Sequence, residues 1–228
     1  MIYITGDVHC PHDVSKLNTE NWPEQKQLTR DDYLIVCGDM GIVWDGSRSD
    51  KYWQQWFNTK PCTTLFVDGN HENHPMLSSY MVEEWHGGKV HKIRPHVFHL
   101  MRGQVFDIDG IKLFAMGGAS SHDKEFRMEG KSWWPEELPS DEEYIEAEHN
   151  LERNGWVVDL VVSHCTSDSI QHQLAYWYEH DKLTNFFFAV VQAKLKYKHW
   201  YFGHYHDDRD LDEKHHCIYQ DIKRIDLR

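Results

Sequence analysis

Short runs of consecutive apolar residues recur along the chain, each closed by a small residue and a polar one. Ile2-Tyr3-Ile4 runs into Gly6-Asp7, Tyr33-Leu34-Ile35-Val36-Cys37 into Gly38-Asp39, and Thr63-Thr64-Leu65-Phe66-Val67 into Asp68-Gly69-Asn70-His71. Runs without polar alternation predict strands buried on both faces, as in a parallel sheet covered by helices. Between the second and third runs, residues 50–59 carry Tyr52, Trp53, Trp56 and Phe57 at helical spacing. The polar residues after each strand would then share the carboxyl edge of the sheet, where α/β proteins build their sites.

The middle of the chain has a different pattern. Residues 97–101, 104–108 and 111–116 read as short strands, and Asp109-Gly110 between the last two is a tight-hairpin signal. They predict a second, more antiparallel sheet. Residues 117–139 read as an irregular insertion and candidate substrate lid within one domain spanning residues 1–228. Ser140 with Glu143 three residues on forms a capping box for a helix ending near Asn154-Gly155. A buried strand over 157–162 leads to Ser163-His164, and helices follow over 169–180 and 185–196. Trp200-Tyr201-Phe202 leads into Gly203-His204-Tyr205-His206, and a last strand spans 217–225.

Composition narrows the function classes. The 228 residues carry a formal net charge of −13, which argues against a long phosphate-backbone footprint. No apolar run approaches the roughly 20 residues that span a bilayer. Met1 to Asp7 reads as a strand and turn with no leader pattern, and the five scattered cysteines lack a CxxC pair. The expectation is a cytoplasmic protein without a disulfide framework. The 18 histidines are an excess that directs attention to metal, because imidazole is the commonest metal ligand.

Five of those histidines and a few oxygens gather at the strand ends: Asp7 and His9, Asp39, Asn70 and His71, His164, then His204 and His206. Mixed nitrogen and oxygen donors suit two borderline-hard divalent ions such as Mn, Fe or Zn rather than a thiolate-bound structural zinc. Read singly, each residue is ordinary turn chemistry. The ordered set carries the signal.

That set, Gly6-Asp7-x-His9, Gly38-Asp39, Gly69-Asn70-His71-Glu72, His164 and Gly203-His204-x-His206, resembles the calcineurin-like metallophosphoesterase superfamily over residues 6 to 206. The resemblance implies a four-layer α/β/β/α sandwich with two mixed β-sheets. It implies a first metal on Asp7, His9, Asp39 and His206, and a second on Asp39, Asn70, His164 and His204, with Asp39 shared. Mn is the favoured ion, with Fe, Zn, Ni and Mg as alternatives. The implied reaction is attack of a metal-bridging hydroxide on a small phosphomonoester, phosphodiester or nucleotide. His71 is implied as the catalytic histidine at the leaving oxygen, with Glu72 either orienting it or serving as a first-turn helix acid.

Several residues depart from parts of the family. Cys10 stands where many members have glycine. Met40-Gly41-Ile42 follows Asp39 in place of the Asp-Arg-Gly extension of the phosphoprotein phosphatase branch, which disfavours protein Ser/Thr phosphatase activity. Arg48, Arg102 and Arg127 are substitutes for the missing arginine by charge, and Arg127, His122 and Trp133 in the insertion are the candidate substrate contacts. Gly117-Gly118-Ala119 followed by Trp133-Trp134-Pro135 looks like a bacterial and phage subgroup. The acidic run 136–148 reads as the solvated start of a helix. A single-strand nuclease and a catalytically silent metal-binding scaffold remain the alternatives to a small-substrate hydrolase.

Overall fold

The computed structural model describes every residue except Tyr176, Glu179, Leu227 and Arg228. In chain order the strands are β1 (Ile2–Thr5), β2 (Tyr33–Val36), β3 (Thr63–Phe66), β4 (Val82–Trp85), β5 (Gly88–Arg94), β6 (Val97–Leu100), β7 (Gln104–Ile108), β8 (Ile111–Met116), β9 (Leu160–Ser163), β10 (His199–Phe202), β11 (Arg209–Asp210), β12 (His215–Cys217) and β13 (Ile222–Ile225). The α-helices are α1 (Arg48–Asn58), α2 (His74–Ser78), α3 (Asp141–Arg153), α4 (Asp168–Leu174) and α5 (Lys182–Phe186).

Two mixed sheets stack face to face. The first has the order β13-β1-β2-β3-β6-β5-β4 and the second β11-β12-β10-β9-β8-β7. Alternation along each strand assigns its side chains to layers. Ile2, Ile4, Tyr33, Ile35 and Leu65 meet Leu113, Ala115, Leu160, Val162 and Tyr201 between the sheets. Tyr3, Leu34, Val36 and Phe66 face outward, onto Phe57 of α1 and Leu77 of α2. Phe114, Val161, Trp200 and Phe202 face the other way, onto Tyr144, Ala147 and Leu151 of α3 and Phe187 after α5. The result is the helix, sheet, sheet, helix stack expected from the motif set. Each fully buried large apolar side chain in these layers contributes about 1.5–3 kcal/mol of transfer free energy.

Self-contained local signals form the elements they predict. Ser140 caps α3 in a complete capping box, and Asp109 and Gly110 take φ of 55° and 83° in the β7–β8 hairpin. Pairings at long range differ from expectation. β6 joins the first sheet, parallel to β3, rather than a second antiparallel one. Four strands at the heart of the second sheet, β8, β9, β10 and β12, pair in parallel. The expected last strand is two: β12 lies beside β10 and β13 pairs antiparallel with β1. Asp208 accepts hydrogen bonds from the backbone N–H groups of Tyr219, Gln220 and Asp221, which turns the chain between them.

Other boundaries also move. β9 begins at Leu160, because Val157 is 48% exposed and makes only an isolated bridge to Lys196. The helix expected over 169–180 ends at Leu174; of its remaining positions, 176 and 179 lie outside the described residues. The helix expected over 185–196 is α5 followed by a wider π-type turn over Phe187–Gln192. The acidic run is not wholly solvated: Glu137 is fully buried. Among the described residues no helix is long and apolar enough to cross a membrane.

Candidate metal centre

The carboxyl ends of β1, β2 and β3 in the first sheet, and of β9 and β10 in the second, lead directly into the candidate ligands. Asp7 and Asp39 sit among them almost completely buried. Two buried carboxylates in one site require cationic partners, since unpaired buried charge is costly. Histidines supply the first contacts. His9 Nε2 lies 3.1 Å from Asp39 Oδ2, His164 Nε2 3.4 Å from Asp39 Oδ1, and His206 Nε2 3.1 Å from Asp7 Oδ2.

Among the described residues, three sets of donor atoms each gather within 4.8 Å: Asp7, His9 and His206; His9, Asp39 and His71; Asp7, Asp39 and His164. Every pair of sets shares a residue. Asn70 Oδ1 is 3.2 Å from His164 Nε2, so the amide oxygen adjoins the third set. The His204 ring lies 4.9 Å from the His164 ring and belongs to none of the three sets among the described residues. The donor chemistry, carboxylate and amide oxygens with imidazole nitrogens and no thiolate, fits divalent cations of the Mn, Fe and Zn type.

The backbone is bent to bring these groups together. His9, Asp39, His204 and His206 adopt φ of 40°, 46°, 69° and 51°, a sparsely populated region for residues with a side chain. Glycine next to a candidate ligand is explained by space. A Cβ on Gly69 would lie 2.1 Å from Asp39 Oδ1, and one on Gly203 would lie 2.0 Å from Asp7 Oδ1. The Gly-Asn and Gly-His pairs of the sequence therefore mark places where one loop's carboxylate rests on another loop's bare backbone, whereas in the Gly-Asp pairs Gly6 makes room for the Ile218 carbonyl and Gly38 for the His164 ring.

Charge partners set the protonation of these side chains. Burial opposes charge on His164, yet Asp39 and Asp7 carry its pKa up to about 10. Burial also opposes charge on Asp39, but His164 and His9 hold that carboxyl well below its ordinary value. Burial, reinforced by the neighbouring His164, pushes His204 down to about 3, leaving a neutral imidazole. Hydrogen-bond partners orient two of the candidate ligands: Asp13 holds His9 Nδ1 at 2.9 Å, and the Cys37 carbonyl holds His164 Nδ1 at 2.7 Å. Buried Lys16 donates to the Gly6 and Asp7 carbonyls at 3.1 and 2.7 Å, and to that of Tyr219. Partners of this kind are as much a part of a metal site as its ligands.

The remaining expected site residues divide. Arg127 Nη2 is 3.0 Å from His71 Nε2, and its Nε is 2.6 Å from Asp123. His71 is lowered by burial, against the pull of Asp39 and with the Arg127 guanidinium alongside. Glu72 does not orient His71. Its two oxygens accept from the backbone N–H groups of Met40 at 2.6 Å and Gly69 at 2.7 Å, tying the β2 and β3 loops together inside the protein. Burial and the nearby Asp39 and Asp68 push this carboxyl up to about 8.

Arg102 is no phosphate contact. It is buried against Asp68, with Nε at 2.9 Å, and reaches Glu143 and the Glu136 and Glu137 carbonyls. Arg48 is exposed at the start of α1. His122 is exposed, its ring 4.9 Å from Tyr178 and 6.4 Å from His204. Trp133 stands under the Lys124 ammonium at 5.4 Å, and it is Trp134 that packs edge-on against Trp44 at 5.3 Å. Trp44, unnoticed in the sequence, lies nearly parallel to His71 with ring centres 6.5 Å apart.

Two cavities adjoin the centre. One of about 650 Å³ is lined by His9, Cys10, Asp13, Trp44, His71 and His206. The other, about 340 Å³, is lined by Ser121, His122, Lys124, Tyr178, Asp181 and His204. Comparison with known families agrees with this geometry: the model of the family described as calcineurin-like phosphoesterase matches residues 1–208. The chain belongs to the calcineurin-like phosphoesterase family. This calcineurin-like phosphoesterase is accordingly a metal-dependent hydrolase of phosphoesters, and its acidic and imidazole groups are of the type that holds divalent metal. No curated protein matches the chain closely enough to lend this phosphoesterase a substrate.

Proposed function

We propose that the chain hydrolyses small phosphoesters at a centre of two divalent cations, with Mn²⁺ the favoured ion. Asp7, His9, Asp39 and His206 hold the first cation, and Asp39, Asn70, His164 and His204 the second. The observation that supports this reading is the interlocking of three donor sets through Asp7, His9 and Asp39. When bound, two such ions neutralise phosphate oxygens and make water nucleophilic near neutral pH.

The chain's own residues do the rest. His71 faces the larger cavity and serves the leaving oxygen, as hydrogen-bond donor or acid. Arg127, carried by the 117–139 segment, meets a phosphate oxygen in the space it now shares with the His71 ring. That segment is read as a cover over the site, within one catalytic domain. Trp44 offers a flat apolar wall to the substrate's organic group. Glu72 keeps two ligand loops in register and does not touch the reaction. The net charge of −13 favours a monoester, diester or nucleotide over a long nucleic acid, and five free cysteines suit a reducing cytoplasm.

The test is a panel of phosphomonoesters, phosphodiesters, nucleotides and single-stranded DNA, run with Mn²⁺ and then with a chelator. Hydrolysis of a small ester that chelation abolishes and Mn²⁺ restores is the expected outcome. Steep loss with salt on single-stranded DNA as the best substrate would favour the nuclease reading. A protein carrying both cations that turns over nothing on the panel would be the silent scaffold.

A further inference from the structure

Asn70 differs from the other candidate ligands because its side chain has two unlike ends. Only Oδ1 can bind a cation; Nδ2 cannot. The orientation of this one amide therefore decides whether the second position has its oxygen donor. Asn70 Oδ1 points to the His164 side at 3.2 Å, and Asn70 Nδ2 donates to Ser121 Oγ at 3.1 Å.

Ser121 is itself committed. Its hydroxyl donates to Glu137 Oε2 at 2.6 Å, and its backbone N–H donates to Glu137 Oε1 at 2.9 Å. A serine hydroxyl has one proton. With that proton on Glu137, Ser121 Oγ presents only lone pairs to Asn70, and an amide turned the other way would set oxygen against oxygen. Glu137 is fully buried, 2.9 Å from the Lys124 ammonium, and the Glu137 carbonyl is held by Arg102 at 3.2 Å. Serine, glutamate and lysine all belong to the 117–139 segment.

We infer that Ser121 and Glu137 are positioning residues that fix the Asn70 amide with its oxygen toward the second cation. The inference rests on the reading of Asn70 as a ligand of that cation. It makes part of the 117–139 segment a support for the metal centre as well as a cover. Since coupling is reciprocal, loading the second cation should in turn stabilise the segment.

Calorimetric titration of the full chain with MnCl₂ tests this, alongside the melting temperature of each variant. Wild type should take up two cations. Ser121→Ala, which removes only a hydroxyl, and Glu137→Gln should keep the first step and weaken the second by about ten- to a hundredfold, the usual cost of losing a ligand's hydrogen-bond partner. Adding Asn70→Asp to Ser121→Ala should restore the second step, because a carboxylate offers oxygen at both ends. Two unchanged steps in both single variants, or equal weakening of both steps, would overturn the relay while leaving the two-cation reading intact. A wild type that binds fewer than two cations would overturn the two-cation reading and the relay with it.

Discussion

Asp39→Asn should strip the protein of both cations and lower turnover by at least about a thousandfold. The substitution preserves shape, so the expected loss follows from charge. Asp39 contacts His9 and His164 through separate oxygens, and its Oδ1 also accepts the His71 backbone N–H at 2.8 Å. It belongs to two of the three donor sets. Charge stabilisation by bound metal is worth several kcal/mol, and at about 1.4 kcal/mol per decade that corresponds to a thousandfold or more. Metal content after gel filtration, read beside kcat at saturating Mn²⁺, checks both halves. Retention of two cations by the variant would remove Asp39 from its shared position.

His71→Ala should do the opposite to the metals. Both cations stay, and kcat falls by about a hundredfold to ten-thousandfold, the range for removal of a proton-transfer group. The contact of residue 71 with Asp39 Oδ1 runs through the backbone, which alanine keeps. The ring instead lies beside Arg127 and Trp44, next to the larger cavity. Because His71 also falls in a donor set with His9 and Asp39, the experiment has a sharp alternative outcome. Loss of a cation from His71→Ala would make it a ligand. Paired with Asp39→Asn, the variant separates holding metal from using it.

The candidate ligands could be read from sequence because each follows an apolar strand directly, and strand ends share one edge. Local pattern places Asp7, Asp39, Asn70 and His164 just beyond the ends of β1, β2, β3 and β9. The fold was legible to the same depth: buried runs gave the strands, and Ser140 with Glu143 gave a helix start. Long-range partnership was not legible. β4, with the exposed pattern of Val82-Glu83-Glu84-Trp85, is an edge strand without a buried face of its own, so no apolar run announced it. Its hairpin with β5 fills the edge beside β6 and holds β6 in the first sheet, a partnership that no local pattern announces.

The same limit applies within the site. Glu72 looked like a companion of its neighbour His71, yet its oxygens reach backbone N–H groups at Met40 and Gly69. Arg102 is a substitute for the missing arginine by charge alone, and Asp68 claims it. Burial would raise the Asp68 carboxyl, but Arg102 and His99 hold it well below its ordinary value. Ser121 and Glu137 are separated from Asn70 by 51 and 67 positions, and nothing in local spacing marks them. Only Asp13, four residues after His9, left a trace that spacing could have caught.

The most direct test is a crystal structure of the Mn²⁺-loaded protein with anomalous scattering collected at the manganese edge. Two anomalous peaks are expected in the site, one against Asp7, His9 and His206 and one against Asn70, His164 and His204, with Asp39 touching both. A single peak, or a pair with Asp39 bound to only one, would contradict the dinuclear centre.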